Sequence, residues 1–203
     1  MSTIDRAALI EDMGRIHIDT AEGHRSRGAA VNVVGLDPSL TGTGIACEEG
    51  FSERVITPSA TSLRGQLQRM NIIASRVAMR TADGALVVIE APSFGSNYPG
   101  HHAIAGLWWI LVATVVGKGC PVVQVAPSSL KKFATGNGRA KKVQMRSAWL
   151  EHTGADVADD NRVDALFLRQ IGLHLVGDPE AIDLPKNQMA AIEGLRGQLP
   201  TSS

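Results

Sequence analysis

Short apolar runs that stop at a carboxylate constrain this chain more than any other feature. Val31-Asn32-Val33-Val34-Gly35-Leu36 ends at Asp37, and Leu86-Val87-Val88-Ile89 ends at Glu90. Asp160 and Asp164 stand four apart in Asp-Asn-Arg-Val-Asp-Ala-Leu, a spacing that places both on one face of a helix. Taken singly, each acid has an ordinary explanation. Asp37 opens an Asp-Pro turn, Glu90 pairs with a base at a strand edge, and Asp160 caps a helix. Taken together, acids gathered at the ends of buried strands repel each other unless cations neutralise them. Hard divalent ions such as Mg²⁺ take oxygen ligands and keep waters that a phosphate can displace. The pattern therefore points to a metal-dependent nuclease.

The elements between these acids set the fold class. A run over Val31 to Asp37 leads through the turn-rich Pro38-Ser39-Leu40-Thr41-Gly42-Thr43-Gly44 into strands at 44–47 and 54–57. Leu63, Leu67, Met70, Ile73, Ala74 and Val77 recur at helical spacing, which predicts an amphipathic helix over 62–80. A buried strand at 86–90, a helix over about 101–116 and a strand at 122–125 follow. Helices are expected at 128–133, 142–152 and 160–175. This alternation implies an α/β fold, with a central mixed five-stranded sheet flanked by helices and a site at the strand ends. Residues 31–176 form the expected domain. Residues 1–30 read as an extension with a short helix over 4–18 and a flexible joint at His24-Arg25-Ser26-Arg27-Gly28. Residues 177–203 read as a loosely attached tail, with one helix near 188–195.

With 203 residues, 44% of them hydrophobic, the chain can bury one sizeable core. Lys+Arg and Asp+Glu each number 20, so no global basic charge advertises nucleic acid, and local patches matter more. Cys47 and Cys120 stand apart without His or Cys at metal spacing, as buried thiols of a reducing compartment do. The start carries no secretory signal, and the apolar stretch from Ala103 to Val116 is too short to span a bilayer. A soluble, cytoplasmic protein is expected, with no membrane partner.

One basic stretch stands out. From Ala126 to Leu150 there is no acid, yet Lys131, Lys132, Arg139, Lys141, Lys142 and Arg146 are present. Thr135-Gly136-Asn137-Gly138 lies among them and lets a backbone come close. The stretch reads as a phosphate-contacting surface. Phe94, in the loop after Glu90, is placed to stack on a splayed base or to pack half-buried. Arg64, Arg69, Arg76 and Arg80 read as an exposed helix face. Trp108 and Trp109 read either as an interface or as core. No GxGxxG or GxxxxGK[ST] motif stands at a strand-to-helix turn, so nucleotide binding lacks motif support.

Several of these segments, in this order, resemble the RuvC-type Holliday-junction resolvases of the RNase H-like superfamily. The resemblance spans roughly 31–175. It rests on Gly35-Leu36-Asp37-Pro38-Ser39 with Thr41-Gly42-Thr43-Gly44, on Val88-Ile89-Glu90 and on Ala126-Pro127-Ser128. It continues in Lys131 with Thr135 to Lys142, and in Asp160-Asn161-Arg162-Val163-Asp164-Ala165-Leu166. It implies an RNase H-like fold, a homodimer, and Mg²⁺-dependent nicking of four-way junctions, with Mn²⁺ able to substitute. Asp37, Glu90 and Asp164 match the family's metal-binding acids, Lys142 a lysine near the scissile phosphate, and Lys131 a second basic position. Asn161 stands where the family usually has an acid or a histidine, so either Asp160 or Asn161 completes the set. The spacing of Phe94 and the Trp108-Trp109 pair also depart from the family pattern, as in a divergent, phage-like member.

The expected activity is a structure-selective endodeoxyribonuclease using two ions per active site, held by Asp37, Glu90, Asp160 and Asp164. Lys142 serves the scissile phosphate, and Lys131, Lys132, Arg139, Lys141 and Phe94 contact DNA. Products carry 5′-phosphate and 3′-hydroxyl ends. The alternatives are an RNase H-like nuclease acting on forks, flaps or RNA–DNA hybrids, and a catalytically silent junction-binding protein. The expected setting is the cytoplasm of a bacterium or a phage-infected host.

Overall fold

The computed structural model describes residues 17–21, 32–48, 51–92 and 101–200, the first segment through its backbone alone. In chain order, β1 (His17–Ala21), β2 (Val33–Asp37), β3 (Thr43–Glu48) and β4 (Phe51–Ile56) precede α1 (Leu63–Arg80). Then come β5 (Leu86–Glu90), α2 (His101–Val116), β6 (Val122–Val125), α3 (Pro127–Thr135), α4 (Lys142–Thr153) and α5 (Asp160–Val176). A short α6 (Lys186–Met189) and a 3₁₀ turn (Glu193–Gln198) close the chain.

The strands form one mixed sheet in the order β1-β4-β3-β2-β5-β6. Antiparallel pairing joins β1, β4, β3 and β2, while β2, β5 and β6 run parallel. The five expected strands are present, and His17–Ala21 adds a sixth at the β4 edge. His17 and Ile18 are thus strand, not the end of a helix. The rest of that predicted helix, the joint at 24–28 and Phe94 lie outside the described residues.

Strand alternation sorts side chains into two cores. Val34, Leu36, Val87 and Ile89 face α1 and α2, where Met70, Ile73, Val77, Leu107 and Leu111 are buried. Val33, Leu86 and Val88 face α3, α4 and α5. Asp37 and Glu90 continue the second series, so both acids face α5.

Glycines let α5 come unusually near the sheet. A Cβ on Gly35 would fall 2.0 Å from the Ala165 carbonyl oxygen, and one on Gly44 would fall 2.0 Å from that of Asn161. On the helix side, a Cβ on Gly172 would meet Val33 at 2.4 Å. Helix and strands touch backbone to backbone at Gly35 and Gly44, and the Gly172 backbone lies against strand side chains, so no side chain larger than hydrogen fits.

On the opposite face, α1 is fixed by a buried charge. Glu53 of β4 accepts from Arg76 Nε at 2.8 Å and from Arg80, whose guanidinium lies 4.4 Å from the Phe51 ring centre. Arg69 donates to the Leu40 carbonyl and to Thr57 Oγ1. Of the arginines expected to form an exposed face, only Arg64 stays fully in solvent. A carboxylate with no exposure needs such partners, and their reach fixes the register of the helix on the sheet.

The C-terminal segment is a strap, contrary to the loose tail expected. Ile192 is buried, and Leu184, Met189, Leu195 and Leu199 pack against the core. Prolines limit helix length there without preventing apolar burial. The Gln198 amide accepts from Gln124 N at 2.9 Å and donates to Gln124 O at 3.2 Å, closing the open edge of β6 like one more residue of strand.

Candidate active site

The register of the parallel strands decides where the first acids meet. Gly35 pairs with Val88 and Leu36 with Ile89, so Asp37 and Glu90 finish adjacent strands side by side. On the other side Asp37 pairs with Gly44, whose missing side chain admits the first turn of α5. That turn brings Asn161 and Asp164 over the strand ends. Asn161 Nδ2 donates to Asp37 Oδ2 at 3.0 Å. Trp108 Nε1 donates to the Glu90 carbonyl at 2.9 Å, tying the end of β5 to α2.

Burial and mutual repulsion perturb these acids strongly. Asp37 is only 6% exposed, and burial, then the charge of Glu90, hold its carboxyl well above the usual carboxylate range. Burial likewise pushes Glu90 up to about 7, partly offset by a hydrogen bond from Asp37. Asp37 and Glu90 therefore titrate as one interacting pair. Asp164 is raised to about 7, by burial first and by the charge of Asp37 second. Lys142 draws Asp37 and Asp164 back down, and Lys131 does so for Glu90 and Asp164. Two lysines from different helices thus converge on the three acids.

Asp160 is placed differently. Its carboxylate lies 3.2 Å from Lys142 Nζ and 3.5 Å from Arg146 Nε, on the outer side of the α5 N-terminus. Its charge reaches Asp164, but the side chain bonded to Asp37 is Asn161. Nor is Asp160 the N-cap. Asp159 takes that position, accepting from Arg162 N at 3.0 Å. In an Asp-Asp pair both residues are good caps, so sequence alone leaves a one-residue ambiguity.

Of the other expected contacts, Lys132, Arg139 and Lys141 are exposed and make no ion pair among the described residues. The loop bearing Arg139 is shaped by Asn137, whose Oδ1 accepts from Arg139 N at 2.9 Å. Trp108 is core, while Trp109 is 65% exposed. Sequence reasoning missed Arg54 and Asp159, joined at 2.9 Å beside the site. The one available signal was a charged Glu53-Arg54 pair inside the short strand Phe51–Ile56.

Among the described residues, no group of three or more His, Cys, Asp or Glu side chains is gathered closely enough to hold a metal ion as it stands. The donor chemistry nonetheless fits a hard cation. All three donors are carboxylates, Asp37 buried and Glu90 and Asp164 half-buried, their repulsion is only partly offset by lysines, and a divalent ion among them would relieve both burial and repulsion.

An α/β sheet of this order, with an acidic centre at its strand ends, defines an RNase H-like protein, and the comparisons agree. No protein-family model matches the chain. The crossover junction endodeoxyribonuclease RuvC of Neorickettsia sennetsu is 31% identical over 122 residues, which cover 56% of this chain and 73% of that protein. The enzyme of that name from an Anaeromyxobacter species is 26% identical over 172 residues, 81% of this chain and 84% of that protein. Among solved structures, Thermus thermophilus RuvC in complex with a Holliday junction substrate aligns with a TM-score of 0.54 at 20% identity. That alignment covers 73% of this chain and 98% of the Thermus chain. The chain belongs to the RuvC family of crossover junction endodeoxyribonucleases.

Proposed function

We propose that this chain is a structure-selective DNA endonuclease that resolves four-way junctions by hydrolysing phosphodiesters, leaving 5′-phosphate and 3′-hydroxyl ends. The observation that carries the reading is the convergence of Asp37, Glu90 and Asp164, from two strands and a helix, into one partly buried anionic cluster faced by Lys131 and Lys142. Family membership supplies the class of substrate.

These three acids are the residues that would hold divalent cations, Mg²⁺ with Mn²⁺ as substitute and two ions in the expected arrangement. Such ions supply Lewis-acid activation of water and neutralise charge on the phosphate. The chain's own residues do the rest. The Asn161 amide keeps one Asp37 oxygen in a fixed direction. Asp160, paired with Lys142 and Arg146, holds the Lys142 ammonium beside the place where phosphate charge builds up, rather than acting as a fourth buried ligand. Lys131 approaches from α3, on the Glu90 side. Lys132, Arg139 and Lys141 extend the positive surface outward along α3, its loop and the start of α4, and would follow neighbouring backbone phosphates.

Cutting two strands symmetrically calls for two copies. Helix α2 contains no Asp, Glu, Lys or Arg, and it leaves Trp109 and Val116 exposed two turns apart on one face. We assign this face to a two-fold contact with a second copy. Among the described residues, no helix is long and apolar enough to cross a membrane. The activity belongs with DNA in the cytoplasm.

The test is cleavage of a synthetic four-way junction beside linear duplex and RNA–DNA hybrid controls, with and without Mg²⁺. Selective, Mg²⁺-dependent nicking of the junction is expected. Asp37→Asn and Glu90→Gln should each lower the rate by at least about 100-fold, the scale set by losing an electrostatic element of a hydrolytic site, while junction binding persists. Preference for hybrids would move the reading to another RNase H-like nuclease. Binding without nicking, even in Mn²⁺, would leave a junction-binding protein.

A further inference from the structure

The three acids come from two separately supported pieces of structure. Asp37 and Glu90 end strands of the sheet, whereas Asp164 rides on α5 together with Asn161. Their spacing therefore depends on what fastens the first turn of α5 to the loop that follows Asp37. Arg54 of β4 does this without touching the acids. Its Nη1 donates to Asp159 Oδ2 at 2.9 Å, and its Nη2 donates to the Thr41 carbonyl at 3.4 Å. Asp159 is the N-cap of α5, and its other oxygen, Oδ1, accepts from Arg162 N at 3.0 Å. One aspartate thus starts the helix with one oxygen and anchors it with the other. Thr41 lies in the turn between Asp37 and β3.

Neighbouring residues are built around this contact. Arg54 pairs with Gly44, and Gly44 pairs with Asp37, so the guanidinium starts two strands from the acid cluster. A Cβ on Gly42 would fall 2.1 Å from Arg54 Nε, and only glycine lets the side chain lie across the turn. That Nε is buried without a hydrogen-bond partner among the described residues, an unfavourable arrangement that a free surface arginine would avoid by turning outward. Arg162, three residues into α5, adds a second tie through Nε to Ser52 Oγ of β4 at 3.1 Å.

We propose that Arg54 and Asp159 form a positioning clamp that sets the separation of Asp37 from Asp164 and Asn161, and thereby the cation affinity of the centre. The proposal rests on reading that centre as the cation-holding site of a nuclease. Partners behind a metal site orient its ligands, and losing one commonly lowers metal affinity about 10–100-fold.

The test uses the full chain and the variants Asp159→Asn, Arg54→Gln and Arg54→Lys. Asparagine caps a helix as well as aspartate, so Asp159→Asn removes the ion pair and keeps the cap. Free Mn²⁺ is followed by electron paramagnetic resonance without DNA, and junction cleavage is followed against Mg²⁺ concentration. Asp159→Asn and Arg54→Gln should both weaken Mn²⁺ binding and raise the half-saturating Mg²⁺ by about 10-fold. Maximal rates should largely return at saturating Mg²⁺, and junction binding in EDTA should stay within about twofold. Arg54→Lys, which keeps the charge and loses the forked reach, should fall between them and the unaltered chain.

The sign for Arg54→Gln separates geometry from simple charge. Removing a positive charge near an anionic centre tightens cations by Coulomb's law alone, whereas a broken clamp loosens them. Unchanged or tighter Mn²⁺ binding by Arg54→Gln overturns the clamp and leaves the nuclease reading standing. An unaltered chain that binds Mn²⁺ but cuts no junction overturns the nuclease reading, and the DNA-free titration still judges the clamp. No Mn²⁺ binding by the unaltered chain overturns both.

Discussion

At the scale of single residues, the acids of the centre oppose folding while no cation is bound. Burial raises Glu90 and Asp164 to about 7 from ordinary values of 4.5 and 3.8, so the folded chain holds protons that the unfolded chain has released. An acid raised in the folded state contributes stability below its unfolded value and loses it as pH rises through the folded one. Cation-free protein should therefore lose stability between about pH 4 and pH 7 relative to a variant lacking one acid. Asp164→Asn should stabilise the cation-free chain at pH 8 by roughly 1–3 kcal/mol, less than the shift alone would convert to, because water and lysines screen the group. About 1 kcal/mol moves Tm by roughly 2–4 °C in a domain of this size. Thermal unfolding in EDTA at pH 5 and pH 8 checks this, and the gain at pH 8 should shrink at pH 5. Equal effects at both values would show that repulsion is not what Asp164 contributes. The same asparagine should abolish cleavage, an opposition between stability and activity expected where acids are crowded to hold cations.

At the scale of elements, the strands and long helices were legible because hydrophobic period and punctuation agreed along the chain. Helix α1 follows the spacing of Met70, Ile73, Ala74 and Val77, and β2 and β5 follow their apolar runs to the acids. What stayed illegible depends on contacts between elements distant in sequence. Gly35 and Gly44 look like ordinary strand positions in a linear reading, yet each marks a point where α5 touches the sheet through backbone alone. The sharing of Asp37 with Asn161 rather than Asp160 follows from that docking, because it fixes which side of the first turn faces the strands. The strap after α5 was missed because proline content masked the spacing of Leu184, Met189, Ile192, Leu195 and Leu199. Gly44→Ala tests the docking. Its Cβ would overlap the Asn161 carbonyl, so α5 must lift, and overpacking of this kind costs about 1–3 kcal/mol or more. Gly106→Ala on α2 is the control, since among the described residues its Cβ meets nothing nearer than Met70 Cε at 3.9 Å. Alanine in a helix interior favours folding by roughly 0.5–1 kcal/mol over glycine. Urea unfolding should move the two midpoints in opposite directions. A fold that accepts Gly44→Ala without loss would refute the backbone contact as what seats the helix.

At the scale of the whole molecule, the charges sum to zero while the surfaces divide their labour. Lys131 of α3 and Lys142 of α4 face the acidic centre, and the faces of the sheet are covered by helices. Helix α2 is the exception, since it shows water an uncharged face holding Trp109 and Val116. A second copy related by a two-fold axis would cover that face with itself, so any substitution there acts twice. Burying one large apolar side chain contributes about 1.5–3 kcal/mol, and two such losses across a symmetric contact amount to roughly 3–6 kcal/mol. Every 1.4 kcal/mol is about a tenfold change in affinity, so Trp109→Glu should weaken association by about 10²–10⁴-fold. Sedimentation equilibrium should then give the mass of one chain where the unaltered protein gives two. Trp108 is buried and bonded to the Glu90 carbonyl, whereas Trp109 points outward, so the variant should keep its fold and its cation affinity. On a junction, paired cuts in opposite strands depend on both copies being present at once. The variant should therefore release singly nicked junctions, where the unaltered protein yields two nicked duplexes. A Trp109→Glu chain that still sediments as a dimer would move the two-fold contact to another face of the molecule.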